Sequence, residues 1–286
     1  MAASAQAQFY TSYLSFGGLM IPIYPGARLS APRNYVAPPL VGNFWILNEG
    51  DGFTNPSVDV QVAVRDVAQE ALGLTGVIGV GSKFLDYALI RSADSANDTA
   101  ILPGGVVFYN GVRALLLENA KFDSFSLSAS KGGDITMRAR FCGTDVISTT
   151  TPSLVPWSTA RLLRYNKVTF AGALAGIVWS VDAGFSNSHS PDMSMNGTTG
   201  PAAQNAGMLG ATLQLTGQAA DDATMGGIST AAFTIAGSNV TRTFTFGNVH
   251  DQTPDDLSIS IPRNMREHSY LCKGVDGSTS GPLVVS

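Results

Sequence analysis

Residues 121–143, KFDSFSLSASKGGDITMRARFCG, decide the fold. In the first part, Phe125, Leu127 and Ala129 alternate with Ser126, Ser128 and Ser130. In the second, Ile135, Met137, Ala139 and Phe141 alternate with Thr136, Arg138 and Arg140. A period of two sends each set to one face of a β-strand. Lys131-Gly132-Gly133-Asp134 separates the runs, and paired glycines supply the positive φ angles of a tight turn. The stretch therefore reads as a two-stranded ribbon with one apolar face and one face of hydroxyls and arginines.

Working back towards the N-terminus, Val106–Tyr109 and Val112–Leu117 flank Asn110-Gly111, a strong hairpin signal. Val58, Val60, Val62 and Val64 alternate with polar or small residues and predict a strand. Asp66–Leu72 then shifts to helical spacing and stops at Gly73, which predicts a short helix. Leu74–Val80 is an apolar, glycine-rich run, and Val41–Leu47 reads as a strand. Residues 1–57 form an aromatic-rich arm with a short strand at Leu19–Tyr24. Pro25, Pro32, Pro38 and Pro39 punctuate it, and proline keeps to loops and sheet edges.

On the C-terminal side, Thr149–Pro156 reads as a linker and Trp157–Tyr165 as a short helix. Val168–Phe170 and Ile177–Phe185 are strands, the second with Ile177, Trp179, Val181, Ala183 and Phe185 on one face. Residues 186–210 form a long polar loop, beyond the 12–15 residues that loops commonly reach. Ala211–Ala219 alternates again, with Thr212, Gln214 and Thr216 outward; Phe233–Ala236, Val240–Val249 and Leu257–Ile261 complete the strands. No strand is assigned after Pro262. The chain divides into an arm (1–57), a β-domain (58–265) with a loose two-half repeat (58–148 and 157–265), and a tail (266–286).

Composition narrows the function. Of 286 residues, 44% are hydrophobic and only 13% charged, about half the usual charged share. A surface this poor in charge suits a protein that covers it in an assembly. The net charge of −4 and pI near 5.3 argue against gripping nucleic acid through its phosphates. Cys142 and Cys272 read as buried free thiols rather than a disulfide. The start, MAASAQAQFY, lacks the features of a signal peptide, and no apolar run suggests a membrane span, so a cytosolic product is expected.

Chemistry-bearing motifs are sparse. His189, His250 and His268 have no metal-ligand spacing to one another or to the cysteines. His250-Asp251 with Asp255 and Asp256 reads as a solvated acidic loop rather than a cation site. His189 among Ser188, Ser190 and Asp192 invites a hydrolytic triad, yet no G-x-S-x-G turn accompanies it. Gly79-Val80-Gly81-Ser82-Lys83 lacks phosphate-loop spacing. Arg138, Arg140 and Arg242 suit a solvated sheet face or a subunit contact better than nucleic acid. The expectation is no enzyme, no metal, no cofactor, and a structural role.

The stretch 122–145, FDSFSLSASKGGDITMRARFCGTD, resembles bacteriophage tail tube (major tail) proteins. In that family a serine-rich alternating strand, a glycine pair and a second strand close on F-x-G and an acid; here these are Phe141-Cys142-Gly143 and Asp145. Residues 177–185 (IVWSVDAGF) and 213–222 (LQLTGQAADD) are similar to the family's later strands. The likeness covers about residues 105–222, and 223–265 more loosely. Residues 1–57 have no counterpart. The resemblance implies an all-β fold, mainly β with one or two short helices: two antiparallel sheets packed as a sandwich or partial barrel.

It also implies a virion protein assembled in the host cytoplasm. Subunits would form rings, hexameric by the resemblance, and long hairpins would close an inner barrel. Rings would stack into a tube that conducts DNA without sequence-specific binding, with tape-measure, tail-terminator and tail-tip proteins as partners. Closing hairpins between chains removes exposed edges, and head-to-tail stacking builds filaments. On this reading Ser126, Ser128, Thr136, Arg138, Arg140, Thr212 and Gln214 face either the lumen or an adjoining subunit. Loops 186–210 and 91–100, with the arm, are candidates for contacts between rings. The rival readings are another tube-forming or phage structural protein (a distal tail adaptor, a capsid decoration or a secretion-system ring) and a carbohydrate-binding or adhesin β-sandwich. An inward-facing Trp179 would weigh against the last.

Overall fold

The computed structural model describes residues 13–16, 19–23, 26–31, 35–36, 50–51, 54–64, 105–150, 162–192, 200–205, 207, 210–238, 241–253, 265–273 and 282–285. Its strands in the first half are β1 (Tyr13–Phe16), β2 (Leu19–Pro22), β3 (Arg28–Ser30), β4 (Tyr35–Val36), β5 (Gly50–Asp51), β6 (Ser57–Ala63), β7 (Val106–Tyr109), β8 (Ala114–Glu118), β9 (Lys121–Ser130), β10 (Thr136–Cys142) and β11 (Asp145–Thr149). The second half adds β12 (Val168–Phe170), β13 (Val178–Ser186), β14 (Ser190–Pro191), β15 (Gln204–Asn205), β16 (Gly210–Gln218), β17 (Ala231–Ala236), β18 (Thr241–Phe246), β19 (Val249–Asp251), β20 (Met265–Cys272) and β21 (Leu283–Val285). Among the described residues one short α-helix, α1, spans Asp222–Gly226.

The protein is an antiparallel all-β, sandwich-like fold, with no closed barrel among the described residues. The main sheet has eight strands in the order β19-β20-β16-β13-β9-β10-β6-β3. Its centre is the seam between the two halves of the chain, where β9 pairs with β13 and Leu127 lies opposite Ala183. Five strands, β11-β8-β7-β1-β2, make a second sheet, and four, β12-β17-β18-β21, a third.

Alternation fixes which face of the main sheet is buried. Met137, Leu127, Ala183, Leu213 and Tyr270 form one rung across five strands, and all five are almost fully buried. Ala139, Phe125, Phe185, Ala211 and Cys272 form the next. These residues share one core cluster with Leu14, Val106 and Leu117 of the second sheet and Phe233, Ile235, Phe244 and Phe246 of the third. The two smaller sheets thus belong to the same core as the apolar face of the large one. Phe125 stacks on Phe185 at 5.7 Å, and Phe233 on Phe244 at 4.9 Å. Offset aromatic pairs of this kind add to the energy of area burial.

The ribbon has the strands its alternation predicts, but a wider turn. Only Gly132 of the glycine pair takes a positive φ, 93°. Ile135 leaves the ribbon, and its N–H donates to the Leu163 carbonyl at 2.9 Å. Gly143 of the F-x-G ending is required sterically: a Cβ there would sit 2.5 Å from the Glu118 carbonyl oxygen. The Asn110-Gly111 turn also forms, with Asn110 Oδ1 accepting from the Val112 and Arg113 N–H groups.

Several expectations change. The proposed linker at 149 begins instead as the end of β11, which pairs with β8. The helix expected over 157–165 does not reach its C-terminal part: Leu163 N–H donates to Val64, and Arg164 is extended, bridging Asp134. A single 3-10 turn follows at Tyr165–Lys167. The stretch after Pro262 carries β20, whose whole length pairs with β16. Its alternation is hidden because the inward set is His268, Tyr270 and Cys272 while Leu271 points outward. In the arm, β1 pairs with β2 and β7, and Tyr13 and Leu14 are buried. The strands expected at 41–47 and 257–261, the helix at 66–72, and residues 74–83 lie outside the described residues.

Candidate functional site: the polar face of the large sheet

The second face of the eight-stranded sheet carries all seven residues singled out from the sequence. One rung reads Gln61, Arg138, Ser126, Gly184, Thr212, Leu271 and His250. The next reads Thr136, Ser128, Asp182, Gln214 and Ser269. A third holds Ser130, Ser180, Thr216 and Glu267. Arg140 stands on the same stripe as Arg138, beside Ser124 and Asp59. Arg138, Arg140, Thr212 and Gln214 are exposed, and Ser126, Ser128 and Thr136 are half-buried.

Side-chain hydrogen bonds cross this face. Ser128 Oγ donates to Asp182 Oδ2 at 2.7 Å, and Gln214 Nε2 donates to Ser269 Oγ at 3.4 Å. A groove of about 440 Å³ lies over Ser128, Thr136, Asp182, Gln214 and Glu267. The arginines sit on β10, and the carboxylates Asp182 and Glu267 sit on β13 and β20. A face with both signs of charge does not neutralise a row of phosphates. It offers hydroxyls, an amide and spaced charges to a polar, hydrated partner.

One end of the face is covered by the connection between β13 and β16, which the sequence reads as a long polar loop. Its two short strands, β14 and β15, pair with each other. Asn187 is fully buried; its N–H donates to the Asp123 carbonyl at 2.8 Å and its Nδ2 to the Phe122 carbonyl at 2.8 Å. Gln204, 2% exposed, donates Nε2 to Asn55 Oδ1 at 2.9 Å and to the Gly143 carbonyl at 2.8 Å. Lys121 Nζ donates to the Gln204 carbonyl at 2.9 Å.

This cover meets the ribbon at a β-bulge. The β9–β10 register shifts between Arg140 and Phe141, so Asp123 is an extra residue facing no partner on β10. A bulge re-aims a side chain. Here Asp123 Oδ1 accepts from the His189 N–H at 3.0 Å and lies 3.2 Å from His189 Nδ1. Burial pushes the Asp123 carboxyl up, but the contacts with His189 and Arg140 outweigh it and leave it below the usual range. Asp123 of the ribbon is therefore a carboxylate partner of His189, one that the neighbouring Ser188, Ser190 and Asp192 in the sequence do not point to. Cys142, on the same stripe as Arg140, is buried beneath the cover, and burial raises its thiol far above its ordinary value.

Trp179 differs from its sequence reading. A second bulge, between Val178 and Ser180, takes it out of the inward row. It is half-buried, and Lys131 Nζ stands 4.0 Å above its ring. Trp179, Tyr165, Phe170 and Lys131 line a cleft of about 280 Å³ that adjoins the polar groove.

A further polar cluster escaped the sequence because β20 did. His268, 2% exposed, has Nδ1 2.8 Å from Asp251 Oδ2. Its Nε2 is 2.9 Å from Asp222 Oδ1, close but misaligned for a hydrogen bond. Arg266 Nη1 donates to Asp222 Oδ2 at 2.8 Å. Asp251 thus serves a buried histidine; Asp255 and Asp256, read with it in the sequence, lie outside the described residues. Among the described residues no helix is long and apolar enough to cross a membrane. No family model and no curated protein matches the chain.

Proposed function

We propose that the chain is a structural subunit of a bacteriophage tail tube. In this reading, copies close into rings, hexameric by the sequence resemblance, and the rings stack into a hollow tube in the virion tail. The observation that carries it is the polar face: a broad lattice of serine, threonine and glutamine, mixed in charge and, among the described residues, not covered by another sheet. A lumen that DNA traverses needs hydration without grip, and this face offers hydroxyls without a cationic row. Short edge strands, β3 and β19, end the sheet on either side. In this reading each edge is closed by a neighbouring copy, and strands this short blunt it against unregulated pairing until then. Tape-measure, tail-terminator and tail-tip proteins are the partners this role requires.

Electron microscopy of the purified protein across a concentration series tests the reading. Rings or hollow tubes are expected, and the ring number follows directly from end-on views. A monomer that persists at high concentration, even with a tail-tip complex added as initiator, would overturn it. The cleft at Trp179 favours a second reading, a carbohydrate-binding β-sandwich, since partly exposed aromatic rings beside hydroxyls and carboxylates suit a sugar. Quenching of Trp179 fluorescence by oligosaccharides, with no assembly, would support that alternative.

A further inference from the structure

We propose that Asp123, Cys142 and His189 form a binding site for a thiophilic divalent cation of the Zn²⁺ class. The ligand atoms of these three residues all lie within 4.8 Å of one another. Tetrahedral zinc with bonds of about 2.0–2.3 Å places its ligands roughly 3.3–3.8 Å apart. Closing the site therefore takes a contraction of about an ångström. The donor set of one thiolate, one imidazole and one carboxylate suits a borderline-soft ion and leaves a fourth position for water.

The three residues come from three places in the sequence, and each is brought there by a specific structural device. Asp123 is the extra residue of the β9–β10 bulge. Cys142 continues the outward stripe of Arg138 and Arg140, yet it is buried because the β13–β16 connection lies over it. His189 is delivered by that connection, whose base is fixed by Asn187 to the Asp123 and Phe122 carbonyls. The site is thus built where the long connection docks on the ribbon, and a cation there would fasten one to the other. Arg140 Nε, 3.4 Å from Asp123 Oδ2, competes for the carboxylate, but its side chain is 48% exposed and can turn to solvent. On binding, the Cys142 S–H bond breaks, its proton goes to the buffer, and a sulfur–metal bond forms with no change of redox state. Thiolate and carboxylate together match the charge of a divalent ion.

The full-length protein, purified with chelator, tests this by titration with Co²⁺ and then Zn²⁺. Expected are one equivalent of Co²⁺ bound, a thiolate-to-cobalt charge-transfer band, and loss of that band when Zn²⁺ displaces it. Cys142→Ser should abolish the band, and His189→Gln should weaken Co²⁺ binding by 10-fold or more. Cys272→Ser should leave both unchanged. Circular dichroism of each variant separates loss of ligand from loss of fold. A wild-type protein that shows no thiolate band at millimolar Co²⁺, or a folded Cys142→Ser variant that keeps it, would overturn the site. Neither result depends on whether the protein forms tubes.

Discussion

The two central hairpins of the large sheet are near matches in their strands and opposites in their connections. β9–β10 and β13–β16 both alternate small polar with apolar residues, and both supply the same buried rungs. The first pair is closed by a short turn with one left-handed glycine, Gly132. The second is closed by a long connection that returns to cover the far end of the first, burying Asn187 and Gln204. The strands obey a pattern of period two. The connection's docking follows none, and hydrogen bonds from the Asn187 and Gln204 side chains to backbone carbonyls help to hold it. The lesson is that the sheet's architecture is set by repeated alternation, while its one elaborated end is set by single residues.

The equivalence of the strands can be broken in the core. Phe125 is 3% exposed and stacks on Phe185 across the seam; Leu213 lies in the adjoining rung, fully buried. Phe125→Ala should cost about 3–5 kcal/mol and Leu213→Ala about 2–5 kcal/mol in denaturant unfolding. Ser126→Ala, on the outer face between them, should stay within about 0.5 kcal/mol. A core variant as mild as the surface one would mean that the seam between the halves is not the spine of the domain.

That contrast also explains what was legible in the sequence. The ribbon, the Asn110-Gly111 hairpin and the strands β13 and β16 were readable, because buried sheet faces impose alternation on every residue. The seven polar-face positions followed from the same periodicity. β20 was not readable: its inward row begins with His268, whose carboxylate partners lie on α1 and β19, so its burial depends on residues far away in sequence. Trp179 was misassigned because a bulge shifts the register at that point, and nothing in IVWSV marks it. The cluster of Asp123, Cys142 and His189 was invisible for both reasons together, a bulge and a long-range fold-back. Spacing rules for metal ligands assume neighbours in sequence, and here a loop brings distant donors together.

The difference between the connections can be sharpened next. Asn187→Ala removes the Nδ2 bond to the Phe122 carbonyl, and Gln204→Ala removes the bonds to Gly143 and Asn55. Each should cost about 1–3 kcal/mol, the penalty of leaving a buried polar group without its partner. Gly132→Ala, at the short turn of the other hairpin, should cost about 1 kcal/mol through its positive φ. If the turn variant proves the more damaging, the long connection is an appendage rather than a structural part of the sheet.

The smallest expected effect lies at the other flank of the sheet, where side chains again replace alternation. Burial raises the Asp251 carboxyl, but hydrogen bonds from Thr253 and His268 more than offset this and hold it below the usual range. His268 and Asp222 face it, with Arg266 paired to Asp222. A carboxyl held low in the folded state stabilises the fold above its unfolded value, about pH 3.9. That contribution is lost as pH falls through the lower folded value, because the unfolded chain then binds the proton more readily. The thermal midpoint of the wild-type protein should therefore fall between pH 5 and pH 3 more steeply than that of Asp251→Asn, which has no proton to take up there. The two curves should converge at the acid end, since protonating Asp251 and replacing it by an amide remove the same charge beside His268. Parallel curves would mean that His268 draws its support from Asp222 alone.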